Sequence, residues 1–542
     1  MAKRLHAVVC AYPALGHINP LLRLSTLLLQ QGVRVTFVTT QFFCDRLRQQ
    51  QTVGTRLVAE GEGGNQQRQG QETIVVTEDE LATRQLPNNE GGRGEEVEGL
   101  EGFICLEGLP DGLPAEFDRI SPSTELVRAV DQLHPAFEKL LCRVLQSTSP
   151  APSLLIADAF LPWTQDVARA LRMPGVIFWP QSVAVFTIFG HTDHLLKKGF
   201  NPFSDNLDTA PAPVIDFLPG LPSLPTSHLP HHVKSVEGQD RRFLLYENLT
   251  KQFQQFSEAS CIFINSLESL ESLPIKVLQS KIEIPVWLVG PLVSLPYTKG
   301  QPSESVPAED FEDVLEWLNR KAAASVLYIC LGSVVSWTKR QVEEVGLGLL
   351  EKQQAFLWVV RPWEMKQVLP HGLLKLGKVA KFVPQVQVLG HPAIGGFLSH
   401  CGWNSTLESL SMGVPILAWP HFLDQFTNCW YVVNVWKVGV ELGLVRRGDV
   451  QEAFADRDQF ARAAALLMDA ENGQLLRSWV WSNPGARVHI QQIRHEQLVK
   501  SRLPVKYFSW SSSWKMQTAG LGLLSNVYFV WKEMIVWALT PS

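Results

Sequence analysis

The sequence is short of several features that would each have settled a class. It has no stretch of about 20 apolar residues able to span a bilayer; the nearest approach, Met516–Trp531, runs straight into Lys532 and Glu533. It has no C-x-x-C pair. Its eight cysteines (Cys10, Cys44, Cys105, Cys142, Cys261, Cys330, Cys401, Cys429) lie far apart, which argues against a disulfide framework or a zinc ribbon and for reduced thiols in a cytoplasmic protein. Neither charge dominates: 48 Lys and Arg face 53 Asp and Glu, a net charge of −5. The basic residues are scattered, so there is no patch to neutralise the phosphates of a nucleic acid. The N-terminus carries Lys3 and Arg4, but the apolar run Ala7–Cys10 is too short for a secretory signal before Pro13, Gly16 and His17 interrupt it. No G-x-G-x-x-G follows that run, which removes a plain dinucleotide-dependent dehydrogenase. No acidic metal-ligand cluster is evident in the sequence.

What is present is a long α/β pattern. At 542 residues the chain exceeds one ordinary domain, and 45% hydrophobic with 19% charged residues suits a globular protein. Ala7–Ala11 reads as a buried parallel strand, leucines from Leu21 to Leu28 recur at helical spacing, Gly32 closes that helix, and Val33–Val38 reads as the next strand. Such βαβ units build doubly wound sheets. Further strands are expected at Phe103–Leu106, Leu154–Ala157 and Val176–Trp179. Residues 60–100 are rich in Gly, Glu, Gln, Asn and Arg and read as a flexible surface insertion. Val286–Val289 precedes Gly290–Pro291, after which 291–310 is Pro- and Ser-rich, like a linker. Strands resume at Ser325–Leu331 and Phe356–Val360. Two Rossmann-like domains, 1–290 and 311–477, are therefore expected to face one another, with ligand in the cleft outside the carboxyl ends of their strands.

Two places carry chemistry. From Gly395 the chain reads as a strand to Ser399, a small-residue turn His400–Cys401–Gly402–Trp403, and a helix opening at Asn404. A helix N-terminus offers free amides and a positive dipole end, a cradle for a diphosphate. His400, Asn404 and Ser405 add side-chain donors, and Gly332–Ser333 ends another strand that could meet the same anion. Ser405-x-x-Glu408 equally fits a capping box, which needs no ligand. The second place is His17, read in the turn after the first strand, with Asp158 ending a later strand of the same domain. Imidazole suits a general base, and a carboxylate would hold it in one tautomer. A lone histidine in a turn also serves as a cap or packing residue.

The stretch Phe382–Gln425, FVPQVQVLGHPAIGGFLSHCGWNSTLESLSMGVPILAWPHFLDQ, closely resembles the donor-binding box of the plant family-one UDP-dependent glycosyltransferases that act on secondary products. Looser similarity runs from Met1 to about Arg477 through PALGHINP, GLPDGLP (Gly108–Pro114) and SVLYICLGS (Ser325–Ser333). The resemblance implies the GT-B arrangement, an N-terminal acceptor domain and a C-terminal UDP-sugar domain. It implies that His400, Asn404, Ser405 and Ser333 hold the diphosphate, and that Glu408 accepts from the ribose hydroxyls. Gln385 and the backbone of Val383 would serve uridine, with Phe382 stacked on the base where the family usually has Trp. Asp424 and Gln425 would grip the sugar near the Trp403 backbone, and a terminal Gln favours UDP-glucose. His17 would be the base and Asp158 its orienting acid. No cofactor and no metal is expected beyond the donor, and the partners expected are UDP-glucose and a small hydrophobic hydroxylated acceptor, with no nucleic acid and no membrane insertion, for a monomer.

Two departures qualify the match. The Thr that commonly follows the position of Trp179 is Pro180, so Gln181 or Ser182 would have to replace one sugar contact. Beyond Arg477 the family's closing amphipathic helix is replaced by a Trp- and Ser-rich tail, 478–542, of irregular pattern. An altered tail leaves open a nucleotide-sugar binder without turnover, and the same fold leaves open a sugar-nucleotide epimerase. The acceptor pocket would draw on Phe160, Trp163, Phe178, Phe186 and Phe189, all of which could equally be core.

Overall fold

Short runs of β-branched and aliphatic residues become the centres of two parallel sheets because helices cover both faces of each. A computed structural model describes residues 5–51, 73–75, 103–121, 123–200, 212–230, 250–293, 308–360, 369–442, 455–469, 471 and 473–477. The tail at 478–542 and most of the 60–100 insertion and of the 291–310 linker lie outside the described residues. Within the insertion, Thr73–Val75 forms a strand, so that segment is not irregular throughout.

The first sheet uses β1 (His6–Cys10), β2 (Arg34–Thr40), β3 (Thr73–Val75), β4 (Phe103–Leu109), β5 (Leu154–Asp158), β6 (Gly175–Trp179), β9 (Cys261–Ile264) and β10 (Val286–Leu288). Its order is β10-β9-β6-β5-β1-β2-β4-β3, parallel except for β3 against β4. A small hairpin pairs β7 (Val214–Ile215) with β8 (Leu224–Pro225). The second sheet uses β11 (Val326–Cys330), β12 (Ala355–Val359), β13 (Lys378–Ala380), β14 (Ile394–Ser399), β15 (Ile416–Ala418) and β16 (Gly439–Glu441). Its order is β13-β12-β11-β14-β15-β16, all parallel. In each sheet the order reverses beside the first strand, between β1 and β5 and between β11 and β14. A crevice opens at such a reversal, outside the carboxyl ends.

The two halves share an apolar cluster in which Ala184, Leu270 and Val293 pack with Trp403, Leu407, Tyr431 and Trp436. Polar contacts stitch the seam: Trp403 Nε1 donates to Asn265 O (2.6 Å) and Trp436 Nε1 to Leu270 O (3.1 Å). After β4, Arg119 grips Asp111 with two parallel hydrogen bonds and reaches the carbonyls of Leu113, Pro114 and Phe117, which orders the GLPDGLP loop.

One expectation is corrected. The first helix does not begin after Pro20 but at Leu15 and runs to Gln30, with Pro20 inside it. His17 is therefore in the first helical turn, not in a preceding loop. Proline is tolerated so near a helix start, but it lacks the N–H that would bond back to the carbonyl four residues earlier. That carbonyl belongs to Gly16.

Candidate active site

At the first reversal, β1 leads into the Leu15 helix and β5 ends at Asp158. His17 Nδ1 and Asp158 Oδ2 are 2.9 Å apart, although 141 positions separate the residues. The Asp158 side chain is fully buried, and its other oxygen accepts from Phe160 N at 2.9 Å. A carboxylate can only accept, so in the neutral ring the proton sits on Nδ1 and leaves the Nε2 lone pair free. The ring is wedged between Tyr12 and Phe160, each with its centroid 5.0 Å away. It keeps 16% of its surface exposed, enough to be reached from the cleft.

At the second reversal, β14 leads through His400 and Cys401 to Gly402, which caps the helix Trp403–Met412 without a side-chain bond. The capping-box reading of Ser405 and Glu408 therefore fails, because Ser405 lies inside the first turn. The first backbone bond back into the cap is from Thr406 N to Gly402 O, at 2.9 Å. The Trp403 N–H turns to the Asp424 carboxylate, and the described residues give no acceptor to the amides of Asn404 and Ser405. Beside them stands His400, whose Nδ1 is buried without a partner among the described residues. Two glycines clamp that ring. A Cβ on Gly402 would lie 2.4 Å from its Nε2, and one on Gly332, whose φ of +75° suits glycine, would lie 2.8 Å from its Cε1. Burial lowers the His400 pKa to about 4, so the ring is a neutral donor. Ser333 sits half-buried in the turn after β11.

Two carboxyls complete the floor. Gln385 Nε2 donates to Glu408 Oε2 (2.6 Å) and to Ser405 Oγ (2.9 Å), and its Oε1 accepts from Tyr328 OH (3.3 Å). In the absence of donor, the Gln385 side chain, expected to serve the uridine, holds Glu408 and Ser405. Burial pushes the Glu408 carboxyl up to about 7, against the pull of the Gln385 amide. Burial likewise raises Asp424 to about 6, opposed by the Asn428 amide, the Trp403 N–H and the nearby His17 ring. Gln425 Oε1 accepts from the amides of His421 (2.9 Å) and Phe422 (3.1 Å), so only its NH2 group is left to donate.

The two crevices meet. Asn404 Nδ2 donates to Gly16 O at 2.8 Å, supplying the bond that Pro20 cannot. Asn265 backs this contact: its carbonyl takes the Trp403 indole, its Nδ2 lies 3.5 Å from Asn404 Oδ1, and its Oδ1 accepts from Leu292 N. Sequence reasoning missed Asn265, which sits just after β9 with no motif around it.

Comparison with known proteins decides what this cleft belongs to. Residues 292–456 match the family described as UDP-glucoronosyl and UDP-glucosyl transferase. Over 505 residues the chain is 32% identical to UDP-glycosyltransferase 85A7 of Arabidopsis thaliana, covering 88% of this chain and 91% of that one. It is 32% identical to the (R)-mandelonitrile beta-glucosyltransferase of Prunus dulcis, over 87% and 90% of the two chains. The chain belongs to the UDP-glycosyltransferase family. The crystal structure of Medicago truncatula UGT71G1 complexed with UDP-glucose shares the GT-B fold, with a TM-score of 0.64 at 23% identity over 91% of this chain and 98% of that one. A UDP-glucosyltransferase from Polygonum tinctorium gives 0.65 at 24%, over 93% and 100%.

The remaining expected residues of this glycosyltransferase divide between surface and core. Phe382 is 49% exposed, while its neighbour Val383 is buried. Of the five aromatics considered for the acceptor, Trp163, Phe178, Phe186 and Phe189 are buried in hydrophobic cores, the core alternative left open for them. Phe160 alone is both partly exposed and against His17. Ser182 is also spent: its Oγ caps the helix Val183–Gly190 and faces Asn428. Gln181 is different, because its Oε1 is buried without a partner among the described residues.

Proposed function

We propose that this enzyme transfers glucose from UDP-glucose to a hydroxyl of a small hydrophobic acceptor by a single displacement with inversion. The observation that carries the reading is the His17–Asp158 pair standing one residue from Gly16, whose carbonyl holds Asn404 at the open helix start. His17 Nε2 takes the acceptor proton, the acceptor oxygen attacks the anomeric carbon, and the bond to the β-phosphate oxygen breaks. The departing diphosphate is received by the Asn404 and Ser405 amides, His400 and Ser333. Those dipoles stand where other transferases use a cation, so the transfer needs no metal. Glu408 accepts from the ribose, Asp424 and the Gln425 amide hold the sugar, and Phe382 stacks on uracil with Val383 behind it. Glucose is supported by Gln425 and by the glucosyltransferases among the relatives. An intact base and acid favour turnover over a binding-only protein. Base and cradle both come from one chain, so a monomer suffices, and the widely spaced cysteines favour the cytoplasm. We divide the chain into an acceptor domain over 1–290 and a donor domain over 311–477.

UDP release from UDP-glucose, with a panel of phenolic and terpenoid acceptors followed by mass spectrometry, tests this reading; a hexose adduct supports it, and no adduct across the panel contradicts it. Two variants refine it. Phe382→Trp enlarges the stacking surface and is expected to tighten UDP-glucose by about 1 kcal/mol; unchanged or weaker binding by calorimetry would remove the stacking role. Gln181→Ala is expected to raise the KM for UDP-glucose while leaving the affinity for UDP unaltered, because Gln181 stands in for the Thr that Pro180 replaces. Equal effects on both ligands would place Gln181 away from the sugar.

A further inference from the structure

A second polar cluster lies across the seam between the halves. It joins His228, at the end of the 3₁₀ turn Thr226–His228, to Cys429 in the helix Gln425–Trp430 and to Glu441 at the end of β16. One ligand atom from each lies within 4.8 Å of the other two. We propose that His228 Nε2, Cys429 Sγ and the Glu441 carboxylate bind one zinc ion, which fastens the 212–230 segment to the donor half.

Three observations carry this. First, the donor set is one imidazole nitrogen, one sulfur and one carboxylate oxygen, the mixture that borderline-soft Zn²⁺ takes. Second, the spacing of the histidine and the glutamate is right. His228 Nε2 and Glu441 Oε2 are 3.6 Å apart, too far for a hydrogen bond. Two ligands of a tetrahedral zinc, with bonds of about 2.1 Å, stand roughly 3.4 Å apart. Third, outer contacts already aim the imidazole. Ser227 Oγ is 3.1 Å from His228 Nδ1, which turns Nε2 toward the cluster. The backbone of His228 is held in place by Thr427 Oγ1, which donates to its carbonyl at 2.8 Å. Cys429 is buried, its thiol against that of Cys401, whereas His228 and Glu441 are half-buried.

The ion has no part in sugar transfer. It anchors the helix that begins at Gln425 and thereby the Asp424–Gln425 pair, with Asn428 already bonded to Asp424 at 2.8 Å. Sequence inspection could not find the site, since His228 lies far upstream of Cys429 and Glu441 and no metal-ligand spacing joins the three.

The test uses the full chain stripped with a chelator, then titrated with Zn²⁺ against a colorimetric competitor and, separately, with Co²⁺. One Zn²⁺ per chain is expected, with a rise in Tm, and Co²⁺ should show a thiolate charge-transfer band that Cys429→Ser removes. Glu441→Gln and His228→Gln, both at positions that are not fully buried, should weaken zinc more than Ser227→Ala does, for which roughly 10- to 100-fold is the scale of an outer contact. These two variants decide the matter even if Cys429→Ser fails to fold. Zinc affinity unchanged in Glu441→Gln or His228→Gln, or a Co²⁺ complex without the thiolate band, would overturn the assignment.

Discussion

His17→Ala is expected to lower kcat by about 10²- to 10⁴-fold, the usual worth of a positioned general base, while UDP binds as before. The ring touches Tyr12, Phe160 and Asp158, none of which belongs to the helix start that receives the diphosphate. Loss should be smaller for an acidic phenol than for an alcohol, because a more acidic acceptor needs less help in losing its proton. Asp158→Asn should fall in the same range for a different reason. One Asp158 oxygen is committed to the Phe160 N–H, so the amide oxygen must keep that bond and the NH2 must face His17. A donor opposite Nδ1 forces the ring proton onto Nε2, and the base is lost without losing the geometry. Steady-state kinetics with both acceptor types, beside calorimetry with UDP, checks each statement. Full turnover in either variant contradicts the assignment.

Glu408→Gln should move stability and donor binding in opposite directions. The folded carboxyl has a pKa of about 7 against an ordinary 4.5, because burial favours the protonated form. The stability it contributes is therefore fully present below about 4.5 and lost as pH rises through about 7. At pH 8 the free enzyme holds an ionised carboxylate at a cost, so the neutral variant should melt higher, and the gain should shrink on going below 7. Binding runs the other way. An ionised Glu408 accepts from the ribose hydroxyls, and charge-assisted bonds are worth about 1.5–3 kcal/mol, so KM for UDP-glucose should rise about 10- to 100-fold. Wild-type KM should also fall as pH rises through about 7, with a lower step near the Asp424 value of about 6. The upper step should vanish in Glu408→Gln. Thermal melts and KM measured from pH 5.5 to 8.5 test both halves; an upper step that survives the substitution assigns it elsewhere.

Much of the fold was legible because a buried parallel strand announces itself as an uninterrupted apolar run. HAVVC, LLIAD and VLYIC each do so, and the structure moves their ends by only a residue or so. The strands that escaped, β3, β7, β8, β13, β15 and β16, are two or three residues long, too short to show any period, and β9 is one of four residues. The start of the first helix was misplaced because proline ordinarily marks a boundary. Here Pro20 lies inside, and its missing N–H is what leaves Gly16 O for Asn404. The site's parts were readable from motif and residue type, but their commitments were not. Nothing in the sequence says that Gln385 is spent on Glu408, that Ser182 is a helix cap, or that Asn265 supports the seam, since each depends on a partner distant in the chain or on backbone geometry.

The most direct measurement is a crystal structure of the enzyme with UDP bound. The account predicts diphosphate oxygens within hydrogen-bond distance of the Asn404 and Ser405 amides and of the His400 ring, with His17 Nε2 facing the leaving side across the cleft. A diphosphate lodged elsewhere, or those two amides bonded to protein in the complex, would contradict it.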